Sequence, residues 1–144
     1  MKLNFKIGLF LLFIFSMLPI DSAQASDREP IREVPFRISA HHFVKNTYFP
    51  ETNPSYLIIY DYSSFDSLFG IAATMSMDRS KLITESKMQN NFVFSILYQG
   101  NDIRKFNIDK IFLESNVLNV YYSSEITQEK ATWTCNCHIT ILVE

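Results

Sequence analysis

Glycine is scarce in this chain, with three residues in 144, at Gly8, Gly70 and Gly100. A glycine-rich phosphate loop is therefore hard to build, and no G-x-S-x-G nucleophile elbow occurs. Charge of one sign is lacking too. Thirteen Lys and Arg against fifteen Asp and Glu leave a net charge of −2, which gives no electrostatic footprint for nucleic acid or an anionic membrane. Carboxylates are scattered, so no acid/base pair stands out. Cysteine is limited to Cys135 and Cys137, and tryptophan to Trp133. No internal repeat, low-complexity tract or long linker is present. Few glycines with 15% aromatics argue against disorder.

What is present begins with an address label. Lys2 and Lys6 form a basic start, Ile7 to Leu18 an apolar core, and Pro19 ends the run. Ala23-Gln24-Ala25 places small residues at the −3 and −1 positions, so cleavage is expected between Ala25 and Ser26. The apolar run is shorter than the ~20 residues of a membrane span. No span is expected once the leader is removed. The destination is an oxidising compartment, periplasmic or exterior. Residues 1–25 are thus read as a signal peptide, 26–33 as a flexible lead-in and 34–144 as one domain.

The domain reads as α+β. Ala131 to Val143 alternates strictly, with Trp133, Cys135, Cys137, Ile139 and Ile141 on one face. Thr134, Asn136, His138, Thr140 and Leu142 lie on the other, so the pattern predicts a strand with one buried and one wet side. At ~3.3 Å per residue that run would be ~43 Å long, too long without a bend. Val34 to Val44 alternates as well, and Tyr56 to Tyr62 reads as a strand between layers. Ser63-Ser64 offers an N-cap to a short helix carrying Phe65, Leu68 and Phe69, with Gly70 as the residue after its end. Ile71 to Lys81 suggests no element, and Thr84 to Lys87 a single capped turn. Phe92–Tyr98, Ile103–Glu114, Val117–Ser124 and the final run then follow with short connections. They predict a four-strand antiparallel meander within a sheet of five to seven strands, covered by one or two short helices.

Chemistry, if any, centres on Cys135-Asn136-Cys137-His138. Thiolates two apart beside an imidazole are soft ligands for zinc or copper. On a regular strand, however, His138 points away from both sulfurs, and a fourth ligand would have to come from His41 or His42. A disulfide between Cys135 and Cys137 is the second alternative. Their Cα atoms fall near 6.5 Å apart on a strand, but parallel Cβ vectors oppose closure unless the strand kinks. The third is two polarisable core residues beside Trp133, the favoured reading. His41 and His42 are neighbours, one expected inside and one outside. Ser63, Ser64 and Asp66 are explained by capping. The paired aromatics Tyr48-Phe49, Tyr60-Tyr62 and Tyr121-Tyr122 suit recognition of another protein, because Tyr is favoured at interfaces.

Three segments carry a resemblance. They are V-P-F-R-I-S-A-H-H-F-V-K-N from Val34, Y-L-I-I-Y-D-Y-S-S-F-D-S-L-F-G from Tyr56, and N-N-F-V-F-S-I-L-Y from Asn90. The chain resembles small exported proteins of Bacteroidetes-type bacteria and, more distantly, the PrcB-type C-terminal domain of surface protease complexes. The matched residues set the fold and carry no functional residue over, and only Gly100 stands where the PrcB-type domain has a Gly-rich turn. The resemblance implies a non-enzymatic, partner-binding role in the envelope. The expected function is therefore an exported protein-binding or regulatory module, protease-associated, without catalytic residues or cofactor. Its partner would be another envelope or secreted protein. An immunity protein against a delivered toxin is one alternative, and a metal- or thiol-dependent protein acting through Cys135, Cys137 and His138 another.

Overall fold

The structure, a computed structural model, describes residues 2–6, 30–48, 52–72 and 77–144. The expected cleavage junction Ala25–Ser26 lies outside the described residues. In chain order the elements are β1 (Lys2–Lys6), β2 (Arg32–Glu33), β3 (Phe36–Ile38), β4 (His42–Val44), β5 (Ser55–Ile59), α1 (Tyr62–Leu68) and β6 (Phe69–Ile71). A 3₁₀ turn at Arg79–Lys81 and the single-turn α2 (Glu85–Met88) precede β7 (Phe92–Gly100), β8 (Ile103–Glu114), β9 (Val117–Gln128) and β10 (Cys135–Val143). The fold is α+β and its strand pairing is antiparallel.

Two four-stranded sheets carry the architecture, ordered β1-β9-β8-β2 and β3-β10-β7-β5, with a separate ribbon of β4 and β6. Between the two sheets lies one apolar core, in which Phe94, Ile96, Ile139, Ile141 and Val143 meet Phe106, Ile108, Ile111, Leu118 and Val120. The second core lies on the other side of β7 and β10. There Val93, Leu97 and Leu142 pack under Phe65, Phe69, Ile83, Met88 and Val44 from the helices and the ribbon. Strands β7 and β10 are thus covered on both faces along Val93–Leu97 and Ile139–Val143, where polar residues must be bonded internally. Ser95 and Thr140 satisfy that rule together: Ser95 Oγ donates to the Ile139 carbonyl at 3.0 Å and lies 2.9 Å from Thr140 Oγ1.

Several expectations are corrected. The four C-terminal strands do not form a single meander. β8 and β9 make a hairpin through Ser115 and Asn116, both at positive φ, a conformation Asn tolerates at a two-residue turn. β7 and β10 instead pair with each other in the opposite sheet, from Cys135–Gly100 to Val143–Phe92. The side of β10 expected to be wet is buried at Thr140 and Leu142, because the helical layer covers it. The strand starts at Cys135 and not at Ala131, which leaves Trp133 on the approach segment and 58% exposed. The expected Val34–Val44 strand breaks at His41, whose φ is 65°. Its first part pairs with β10 and its second with β6. Within the expected lead-in, Arg32–Glu33 pairs with Phe112–Leu113 of β8.

Helix α1 starts earlier than expected. Its cap is Asp61, whose carboxylate accepts the Ser64 N–H at 2.8 Å and the Ser64 hydroxyl at 2.7 Å. Those two bonds hold its carboxyl below the usual range. The helix ends where expected: Phe69 caps it, its N–H donating to the Phe65 carbonyl, and Gly70 follows at the position after the cap, but in extended backbone that already opens β6. Gly70 lies under the Phe43 ring, where a Cβ would come within 2.4 Å of Cζ. The missing side chain therefore serves a close approach and not a left-handed turn.

Candidate functional site

The C-terminal cysteine–histidine run is split by the pleat of β10. Cys137 turns toward the core between the sheets, while the His138 ring lies 5.9 Å from the Phe69 ring on the opposite face. Cys135 and Cys137 are both free thiols and half-buried. Cys137 Sγ accepts the backbone N–H of Arg104 at 3.2 Å, and Cys135 Sγ lies 4.0 Å from the Trp133 carbonyl. Among the described residues no group of three or more His, Cys, Asp or Glu is placed to hold a metal ion.

The histidines fall elsewhere. His42 is buried: its Nε2 accepts the Ile83 N–H at 3.2 Å, and its ring meets Phe65 edge-on at 5.1 Å. Its Nδ1 is buried without a hydrogen-bond partner, although the Gly70 backbone pulls the ring's basicity upward. Burial outweighs that pull and lowers the His42 pKa. The same cause lowers His138, offset in part by the His42 backbone. His41 stands at the bend, half-buried, with its carbonyl accepting the Ala72 N–H at 2.8 Å. The His42 ring joins the ribbon to the turn before α2.

A more open arrangement lies where the two sheets approach. The Tyr98 hydroxyl donates to Asp102, whose other oxygen accepts Arg104 Nε at 2.7 Å. The Arg104 guanidinium sits 4.4 Å from the Tyr98 ring centre, within cation–π range. The Tyr98 bond, ahead of the Arg104 interactions, holds the Asp102 carboxyl low and pushes the phenol up. Gly100 permits this, since a Cβ there would meet Tyr98 Oη at 2.3 Å. The sequence names the glycine, but only the folded chain shows that it accommodates an aromatic ring.

Beside this network, a hollow of about 540 Å³ is lined by Ile103, Arg104, Lys105, Phe106, Asn107 and Thr127 on one sheet. Ile38, Ser39, His138, Ile139 and Thr140 complete it. It exists because both strands lose their neighbours here. β2 pairs with β8 only at Phe112–Leu113, and the Val34 N–H reaches the Ile111 carbonyl at 2.9 Å. From Ile103 to Lys110 the outer edge of β8 has no strand beside it among the described residues. Likewise β3 pairs with β10 only at Ile141–Val143, and the Ser39 N–H reaches the Thr140 carbonyl at 2.9 Å. The chain then turns away at His41. A second hollow of about 240 Å³ shares Ile38 and Ser39 with the first and is lined further by Arg37, Ser80, Lys81, Leu82 and Lys87. The two form one trough crossing Ile38, which is 54% exposed.

Comparison with protein-family models, with curated proteins and with solved structures finds no match. The trough, absent from any linear motif, had one legible signal: the polar, cationic start of β8 at Arg104-Lys105.

Proposed function

We propose that the chain is an exported envelope or secreted protein that binds another protein without catalysing a reaction. The observation that carries this reading is the trough with two open strand edges. Unpaired edges are templates for pairing with another chain, and natural sheets keep them short or covered unless they are used. Export rests on the leader-like start, with cleavage after Ala25 as the expected processing step. A protease-associated partner rests on the PrcB-type resemblance alone.

Mass measurement of the chain from its native cell fractions tests export: a mature form beginning at Ser26 supports it, and an intact chain in the cytoplasm refutes it. Photo-crosslinkers placed at Ile38, Lys105 and Trp133, used in the native envelope, test binding. A specific adduct at one of these sites is expected. Monomeric chain alone from all three sites sinks the binding reading.

A further inference from the structure

The occupant of the trough can be named by chemistry, and naming it rests on the protein-binding reading above. The trough is lined by Arg37, Lys81, Lys87, Arg104 and Lys105, and by no Asp or Glu. Two of these cations are held from outside it, Arg37 by Glu144 at 2.5 Å and Arg104 by Asp102 at 2.7 Å. Lys87 donates to the carbonyls of Ser80 and Leu82 at 2.6 and 2.7 Å, which leaves its charge unneutralised. Lys105 stands across the ladder from Glu125 and Lys81 lies near Asp78, but neither closes a salt bridge among the described residues. A chain of net charge −2 therefore lines one hollow with cations, while the carboxylates that accompany them lie outside it.

Backbone geometry supplies the second argument. The Arg104 N–H points off the edge of β8 and is bonded to Cys137 Sγ, a weak acceptor. Peptide groups two residues apart along a strand face the same way, so those of Phe106 and Ile108 also point off this edge. The line of β2 ends at the near side of this gap, so an added strand running the same way would extend it. We infer that the trough binds an extended acidic segment of a partner protein, added antiparallel to β8 over Arg104–Ile108. Its backbone would give the Arg104 N–H a carbonyl in place of sulfur. Its carboxylates would meet Lys105 and, past Ser39, Lys81 and Lys87. Asp109, exposed at the bulge beyond Ile108, limits the acidic register to the Arg104 end.

The test titrates the purified chain with a ten-residue peptide alternating valine and glutamate. Its controls are a lysine-for-glutamate counterpart, the acidic peptide with a central proline, and a single-stranded oligonucleotide. Expected results are saturable binding of the acidic peptide and at least tenfold slower hydrogen exchange at the Phe106 and Ile108 amides. Binding should be at least tenfold weaker for the lysine and proline peptides, and K105Q, which sets no like charge opposite Glu125, should weaken the acidic peptide in a chain that still melts cooperatively. Three outcomes overturn the inference: no binding of the acidic peptide, protection confined to another edge, or equal binding of the oligonucleotide. The crosslinking result separates the two levels. An adduct from Trp133 together with peptide failure removes this inference and leaves the protein-binding reading standing.

Discussion

Acidification from pH 7.5 to 5.5 should destabilise the fold through His42 and His138. Both rings have pKa values lowered below 6.5, chiefly by burial. The sign follows from linkage. Above pH 6.5 the rings are neutral in the folded and the unfolded chain, so stability is at its plateau. Below 6.5 the unfolded chain binds protons that the fold refuses, and stability falls toward the lowered folded values. A ring that stayed neutral in the fold throughout would cost ~1 kcal/mol between pH 6.5 and 5.5, so ~2 kcal/mol is the ceiling for the pair. The structural cause is specific: protonated Nε2 of His42 would set a donor against the Ile83 N–H it now accepts at 3.2 Å. The three carboxyls with lowered values act outside this window. Asp61, Asp78 and Asp102 are lowered from 3.8, so what they contribute is lost only below that value. Urea melts followed by circular dichroism at pH 7.5, 6.5 and 5.5 measure the effect, and His138→Gln should roughly halve it. A midpoint that stays constant or rises on acidification would refute the reasoning.

Four further outcomes are expected. Gly100→Ala should push the Tyr98 ring off Asp102 and lower stability, read by chemical denaturation and by a shift of the Tyr98 ring signals. Ile141→Ala, at 0% exposure between the sheets, should cost ~2–5 kcal/mol, whereas Cys135→Ala at the half-exposed start of β10 should cost under ~1 kcal/mol. Trp133 should emit as a solvated indole and be quenched by iodide in the native state; a shielded, blue-shifted emission would contradict its exposure. Amide exchange along Val117–Tyr121 of β9 should be slower in the unprocessed chain than in one lacking residues 1–25, because β1 pairs with that edge from Lys2–Tyr121 to Lys6–Val117.

Local rules reached a definite depth in this chain. Period-two patterns marked β7, β8, β9 and most of β10, and Ser115-Asn116 marked the tight hairpin, because those signals reside in neighbouring residues. Which sheet each strand joins is a non-local property: nothing in Phe92–Gly100 says that it pairs with Cys135–Val143 and not with β8. His138, Thr140 and Leu142 seemed wet because polar residues at alternate positions usually are. Ser95 makes Thr140 tolerable in the interior, and that partner lies 45 residues away. The helix start was misplaced by two or three residues because Ser63, Ser64 and Asp61 are all competent caps, and only the turn geometry selects Asp61. Of the trough, the cations near β8 were visible, but the hollow depends on where β2 and β3 stop.

That stopping point has a consequence of its own at His41. A side-chain-bearing residue held at φ 65° is a local strain that the surroundings must maintain. It also acts as a knuckle: one uninterrupted alternating segment serves two layers that share no backbone ladder. The β4–β6 ribbon should consequently loosen as a unit before the sandwich does, with the Lys45 and Ala72 amides, which bond across it to Leu68 and His41, exchanging ahead of those in β7.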